Sequence, residues 1–314
     1  QRGERAHDVV GAVALRREVH LHRRLGVLFQ AAHMVHHALD VFEHVARSHL
    51  EQFQAALPTV AQQAVVGWKI AATSTNGQAH INVGGPLAGR LLSGQVFESG
   101  ASVPSAGNRM RVAEPEFAFA MGQDLPPQSA PYTQDQVMAA VATLHPAIEV
   151  PDSRLAPFTE AGEAQLLADN ACARHFVLGP PAPDGWRQID LSTHVVEAQV
   201  LLGETDRYTR TGSGAWVLGD PRIALTWLAN QLSSLGITLE KGHVVTTGTC
   251  MVPLELVPGD TAKADFGPLG EEALGIGDAA GRGRGTGHQR RESKGSTRQG
   301  DKRQAKQHGG SGRQ

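Results

Sequence analysis

Two carboxylates, two residues apart, interrupt the otherwise apolar run VAEPEFAFAM (112–121): Glu114 and Glu116, on either side of Pro115. In an extended chain, side chains i and i+2 point to the same face with their Cα atoms ~7 Å apart. Both glutamates therefore converge on one side, while Phe117 and Phe119 point to the other, where they can pack. Carboxylates held this way repel each other unless a proton or a cation relieves them; the alternative is a solvated edge strand with two ordinary glutamates. A third carboxylate, Glu149, lies inside the apolar run of HPAIEVPDSR (145–154), followed by Asp152, Ser153 and Arg154. Three carboxylates on neighbouring strands make an oxygen-rich site of the kind Mg2+ or Mn2+ takes. An octahedral ion with three protein ligands keeps three positions open, two of which a 2-oxo or 2-hydroxy acid can fill with its carboxylate and C2 oxygen. One negative charge is then left for a nearby cation to offset. Lys69, alone in the apolar VGWKIAATS (66–74), is the candidate, since a buried ammonium is rarely left without a partner. A lysine snorkelling from a strand end is the competing reading.

The elements that must position these residues are mostly strands. AVVGWKIAA, EFAFAM, HPAIEV, ARHFVLG, THVVEAQVLLG and HVVTTGT are β-rich and separated by Gly/Pro turns. TQDQVMAAVATL (133–144) reads as a helix with a Thr133–Gln136 capping box. DPRIALTWLANQLSSLG (220–236) reads as another, with Asp220 as N-cap, Pro221 in its first turn and Gly236 closing it. Strands outnumber helices without alternating with them, so the expected class is α+β on mixed or antiparallel sheet. GPLAGRL and GSGAWVLGD are expected to be tight turns, with flexible Gly212 and Gly214 near a pocket mouth. Cys172 is expected to be a small buried residue rather than a nucleophile, and His145 a turn histidine.

Composition divides the 314 residues into three: a His-rich helical segment 1–61, a body 62–270, and a disordered, basic, Gly-rich tail 271–314. In the first, His33 and His37 are four apart, but the histidines spread around a helix expected from Arg24 to Ala56 and stopped by Pro58, so exposed helix residues are the better reading. The tail has no aromatic residue on which bases could stack, which weakens a nucleic-acid role, and a formal net charge of -2 argues against one for the whole chain. No apolar run is long enough to span a bilayer. Two cysteines without zinc spacing point to the cytoplasm.

GWKIAATS, GPLAGRLLSG, AEPEFAFAMG, HPAIEVPDSR, LLADNACARHFVLG, GSGAWVLGDPRIALTWLANQLSSLG and GHVVTTGTCMVPLELVPGD, in that order over residues 66–270, resemble the 2-keto-4-pentenoate hydratase group of the fumarylacetoacetate hydrolase superfamily. The resemblance implies a mixed, barrel-like β-roll with flanking helices and a homo-oligomer. It implies Mg2+ or Mn2+ on Glu114, Glu116 and Glu149, and an active-site lysine at Lys69. The segments ADNA (168–171) and TTGT (246–249) fall where the family lines its pocket, which makes Asp169 a candidate for orienting a proton carrier, or equally an N-cap. Ser153, Asn170 and Thr249 become candidates for binding substrate. The implied reaction is hydration of 2-hydroxypenta-2,4-dienoate to 4-hydroxy-2-oxopentanoate in the breakdown of aromatic compounds by meta-cleavage. A decarboxylase of 2-oxo-3-hexenedioate, with Arg154 or Arg109 for the second carboxylate, and an acylpyruvate C–C hydrolase are the alternatives. The family's final strand is expected to be missing after Gly270. That, with the abrupt changes in composition, marks both ends as candidates for a misread frame around an authentic body.

Overall fold

The computed structural model describes residues 54–277. Among the described residues, thirteen strands fall in two sheets, mixed in direction. The larger has eight strands in the order β2 (Leu87–Leu92), β1 (Val65–Ala71), β10 (Val244–Thr249), β5 (Val112–Met121), β6 (Val141–Val150), β7 (His175–Leu178) and β3 (Val96–Glu98), with β11 (Leu254–Glu255) added to β5. The smaller runs β4 (Ser102–Pro104), β13 (Glu271–Gly277), β12 (Asp260–Asp265), β8 (Val195–Leu202) and β9 (Thr205–Ser213). Pairs β1–β10, β3–β7 and β4–β13 are parallel and the other pairs antiparallel, which is the mixed-sheet α+β class expected.

The helices are α1 (54–61), α2 (Thr75–His80), α3 (Gln134–Ala140), α4 (Gly162–Ala168) and α5 (Pro221–Ser234). Helix α5 begins and ends where its sequence says: the Asp220 side chain accepts from the Arg222 amide, and Gly236 has φ +73°. It buries Ala224, Leu225, Leu228, Ala229 and Leu232 in the main core. On β5 the alternation works as anticipated. Phe117 and Phe119 are fully buried on the core side, Phe117 edge-on to Phe266 with ring centroids 5.2 Å apart. Burying one such ring contributes ~1.5–3 kcal/mol, which favours the register that turns the glutamates the other way.

Several expectations are corrected. A final strand is present: β13 pairs with β12 and β4, so the folded body extends past residue 270 to 277. Its inward residues are Glu272, Leu274 and Ile276, in strict alternation. A carboxylate at the first inward position and two glycines hid that period. The Glu272 carboxylate accepts from the Gly100 and Ala273 amides. The rest of the expected tail, and most of the His-rich segment, lie outside the described residues. Helix α1 runs through Pro58 instead of stopping there, and the chain then closes with the Gln62 and Gln63 amides on the Thr59 and Pro58 carbonyls.

Helix α3 keeps its capping box but ends at Ala140, and Val141 already begins β6. The amides of Gly122 and Gln123 take the Ala140 carbonyl, so the helix has no reason to continue. In GPLAGRL (85–91) the bend is confined to Gly85 and Pro86, and residues 87–91 belong to strand β2, buried throughout, rather than to a turn. Gly212 and Gly214 are wedged against the carbonyls of Cys250 and Leu191, with no room for a Cβ, and are not flexible. His145 is in β6, bonded to the Gly179 carbonyl and Thr143, because a β-bridge partner and not a turn flanks it.

Candidate metal centre

The site is laid out by register. In the β5–β6 pair Glu114 stands directly opposite Glu149, and Glu116 is two residues along β5 on the same face. On the other side of β5 runs β10, whose Thr246 pairs with Lys69 of β1. Four adjacent strands thus contribute to one face at the middle of the large sheet. Glu114, Glu116 and Glu149 each bring a carboxylate oxygen within 4.8 Å of the others. Lys69 Nζ lies 3.2 Å from Glu149 Oε2 and donates to the Ala171 carbonyl at 2.9 Å. Glu116, Glu149 and Lys69 are buried, whereas Glu114 keeps some exposure.

Between Thr246 and Thr249 the β10 register slips by a bulge, with Gly248 at φ +95°. The bulge turns the Gly248 amide onto Glu116 Oε2 at 2.7 Å, and the Thr246 hydroxyl donates to the same oxygen. A side chain at 248 would both meet Thr73 at 2.2 Å and force an unfavourable φ. One oxygen of Glu116 is therefore fixed, and the other, Oε1, is buried with no hydrogen-bond partner. Glu149 Oε1 is likewise buried without a partner, and Oε2 has only the ion pair with Lys69. Buried carboxylate oxygens left this way are costly. A hard divalent cation accounts for them, and the all-oxygen donor set suits it.

Protonation follows the same logic. Burial, then repulsion from Glu149, pushes the Glu114 carboxyl up to about 7 against a pull from Lys69. Glu116 is raised well above the usual range by burial, Glu149 and Glu114, and Glu149 is raised by burial against the pull of Lys69. For Lys69, burial acts to lower the pKa, but Glu149, Glu114 and Glu116 together outweigh it and hold the ammonium charged. A carboxyl whose folded pKa is raised above its unfolded value stabilises the fold below the unfolded value and loses that contribution as pH rises through the folded one. Metal-free protein is therefore expected to lose stability between about pH 4.5 and about 7, the window set by Glu114. A divalent ion should raise the unfolding midpoint more at pH 7.5 than at pH 5. Thermal unfolding with chelator and with Mn2+ at both values checks this; an equal increment at the two would contradict it.

The other anticipated residues separate into two groups. Ser153 and Asp169 are bonded to each other: Ser153 Oγ donates to Asp169 Oδ2 at 2.7 Å. Asp169 also accepts from the Arg154 amide and pairs with the Arg154 guanidinium at 2.8 Å. It caps the C-terminus of α4 and stands at the N-terminus of the 3-10 turn Asn170–Cys172, without a side-chain capping bond there. Cys172 is buried in the field of Lys69 and Asp169; burial pushes its thiol up to about 11, so it stays protonated, the small buried residue expected. Asn170 and Thr249 do not have free polar groups aimed at a ligand. The Asn170 amide bonds both main-chain groups of Arg90, and the Thr249 hydroxyl is taken by Met251. Thr246, the Gly248 amide and the Ala171 carbonyl complete the site. The first two belong to the TTGT segment singled out in the sequence, but a main-chain carbonyl carries no signal in residue types.

A family model described as "Fumarylacetoacetate (FAA) hydrolase C-terminal" matches residues 38–279. The chain is 31% identical over 206 residues to the 2-keto-4-pentenoate hydratase of Paraburkholderia xenovorans (strain LB400), covering 66% of this chain and 74% of that one. It is 35% identical over 178 residues to a 2-hydroxypent-2,4-dienoate hydratase of Pseudomonas putida, covering 56% and 77%. Among solved structures, the 4-oxalocrotonate decarboxylase from Pseudomonas putida G7, complexed with magnesium and adipate, superimposes with a TM-score of 0.60 at 25% identity, covering 70% of this chain and 80% of that one.

Proposed function

The chain belongs to the fumarylacetoacetate hydrolase family, and from that premise we propose that it is a divalent-metal-dependent hydratase converting 2-hydroxypenta-2,4-dienoate to 4-hydroxy-2-oxopentanoate. The observation that carries the reading is the buried Glu114–Glu116–Glu149 cluster with Lys69 beside it. Those carboxylates would hold Mg2+ or Mn2+, the two divalent ions this donor set suits. When bound, the ion supplies Lewis-acid polarisation of a 2-oxo acid's oxygens. Three carboxylates, one ammonium and a divalent ion leave the site neutral, so an anionic substrate enters without net repulsion.

The chain's own groups have defined tasks. Thr246 and the Gly248 amide orient Glu116 through one oxygen, which leaves the other for the ion. Lys69 is held in its charged form against Glu149, which suits it to balancing charge at the substrate carboxylate rather than to taking a proton. In the hydration the C2 hydroxyl loses its proton as C5 gains one, and water then adds as hydroxyl at C4 and hydrogen at C3, so the net gain is one water. Beside Lys69, Ala171 and Cys172 belong to a small apolar cluster, against which Ile81, Val83, Met110, Leu155 and Phe158 pack. An apolar wall supports a substrate whose far end is a hydrocarbon. The decarboxylase alternative would need a cation for a second carboxylate. Of its two candidates, Arg154 is paired with Asp169 and Arg109 donates to the Arg154 carbonyl. Two buried free cysteines are compatible with a reducing compartment, and we place the enzyme in the cytoplasm as a homo-oligomer acting in aromatic catabolism.

Purified protein given 2-hydroxypenta-2,4-dienoate with Mn2+ or Mg2+ is expected to form a product heavier by one water, and none after chelation. Metal-dependent loss of carbon dioxide from 2-oxo-3-hexenedioate, without hydration of the dienoate, would move the assignment to decarboxylase.

A further inference from the structure

Residues Asn170, Ala171 and Cys172 lie one after another in the left-handed region, with φ of +57°, +50° and +62°. Asparagine visits that region readily, whereas alanine and cysteine do not, and such runs persist only where the surroundings over-determine them. Here the constraint comes from β2. Asn170 Oδ1 accepts from the Arg90 amide at 2.7 Å, and Asn170 Nδ2 donates to the Arg90 carbonyl at 2.9 Å. The side-chain amide thus pairs with the outer edge of β2 as a neighbouring strand would. The approach is close enough that a Cβ on Gly89 would come within 2.3 Å of the Asn170 carbonyl. Further bonds close the turn: Cys172 amide to Asp169 carbonyl, Ala173 amide to Asn170 carbonyl, and Asp152 amide to Cys172 carbonyl. What the turn presents to the site is the Ala171 carbonyl, the acceptor of Lys69 Nζ.

We infer that Asn170 is a positioning residue for the proposed reaction: by fixing the left-handed turn on β2, it aims the Ala171 carbonyl that holds the Lys69 ammonium against Glu149. Asn170 touches neither substrate nor ion. Its effect on turnover passes through one main-chain carbonyl to one ammonium, and so differs from that of a substrate-binding amide. The consequence for turnover rests on the hydratase reading, whereas the consequence for Lys69 does not.

The test uses full-length protein with two substitutions. Asn170→Gly keeps the backbone free to adopt the turn and deletes the amide; Asn170→Asp keeps the acceptor for the Arg90 amide and loses the donor, which guards against a glycine variant that does not fold. Turnover of the dienoate with Mn2+ is expected to fall by about 10²-fold in kcat for Asn170→Gly, with KM changed by no more than about twofold, since the defect lies in alignment and not in binding. Independently of activity, the Lys69 ammonium should give a slowly exchanging 15N resonance, identified by its loss in Lys69→Met. That resonance should broaden or vanish in Asn170→Gly and be partly retained in Asn170→Asp. An unchanged Lys69 resonance in a folded variant would overturn the inference, as would a raised KM at wild-type kcat, which would make Asn170 a substrate contact. If the wild-type protein does not hydrate the dienoate, the hydratase reading fails, and the Lys69 resonance still decides the role of Asn170.

Discussion

Glu116→Gln is expected to abolish metal-dependent turnover while making the metal-free protein more stable. The two effects have one origin. Glu116 is fully buried; burial, Glu149 and Glu114 all oppose its ionised form, while Lys69, the Thr246 hydroxyl and the Gly248 amide favour it. A neutral amide of the same shape keeps an oxygen for Thr246 and for the Gly248 amide, and removes an ionisable group whose charge burial, Glu149 and Glu114 oppose in the apo fold. The ion loses a charged ligand, and the transition-state stabilisation a metal supplies, several kcal/mol, is worth about 10³-fold in rate. The measurement is a pair: initial rates with saturating Mn2+, and thermal unfolding with chelator at pH 7.5. A variant that keeps more than about a tenth of wild-type turnover would remove Glu116 from the ligand set.

Lys69→Met produces the opposite sign in stability. The Lys69 and Glu149 side chains are 3% and 1% exposed, so the partner left behind is a buried carboxylate among two others. Removing one member of a buried ion pair costs ~3–5 kcal/mol. The full cost applies only where the carboxylates are ionised. With Glu114 titrating near about 7, the loss should be larger at pH 8 than at pH 5. Excess divalent ion binds the folded state and should restore part of the stability by mass action, but not the turnover, because charge balance at the substrate carboxylate is gone. Chemical denaturation at the two pH values, with and without Mn2+, reads this directly. Equal stability of variant and wild type at pH 8 would mean the ammonium is not what stabilises the cluster.

Much of the centre was legible because its chemistry conflicts with its surroundings. Carboxylates at 114, 116 and 149 and a lysine at 69 sit in runs whose other residues belong in a core, and only a mutual arrangement reconciles them. The period of two told which face each would take. It could not tell that Glu149 lies opposite Glu114, since register is set between strands. The backbone partners of Asn170 and Thr249 were not legible for a related reason. A polar residue beside a site offers its groups to a ligand only if the backbone does not claim them first, and here Arg90 and Met251 do. Strand β13 was hidden because Glu272 occupies the inward position where a hydrophobic residue would have announced the pattern.

The unequal burial of the cluster has a kinetic consequence. Among the four groups, Glu116, Glu149 and Lys69 are buried and Glu114 keeps some exposure. Solvent therefore touches the cluster at Glu114, and an arriving ion would meet that carboxylate before the deeper two. An organic acid bound over the ion would cover the same side. Metal release should then slow as the concentration of a 2-oxo acid rises, and a release rate independent of the acid would contradict this.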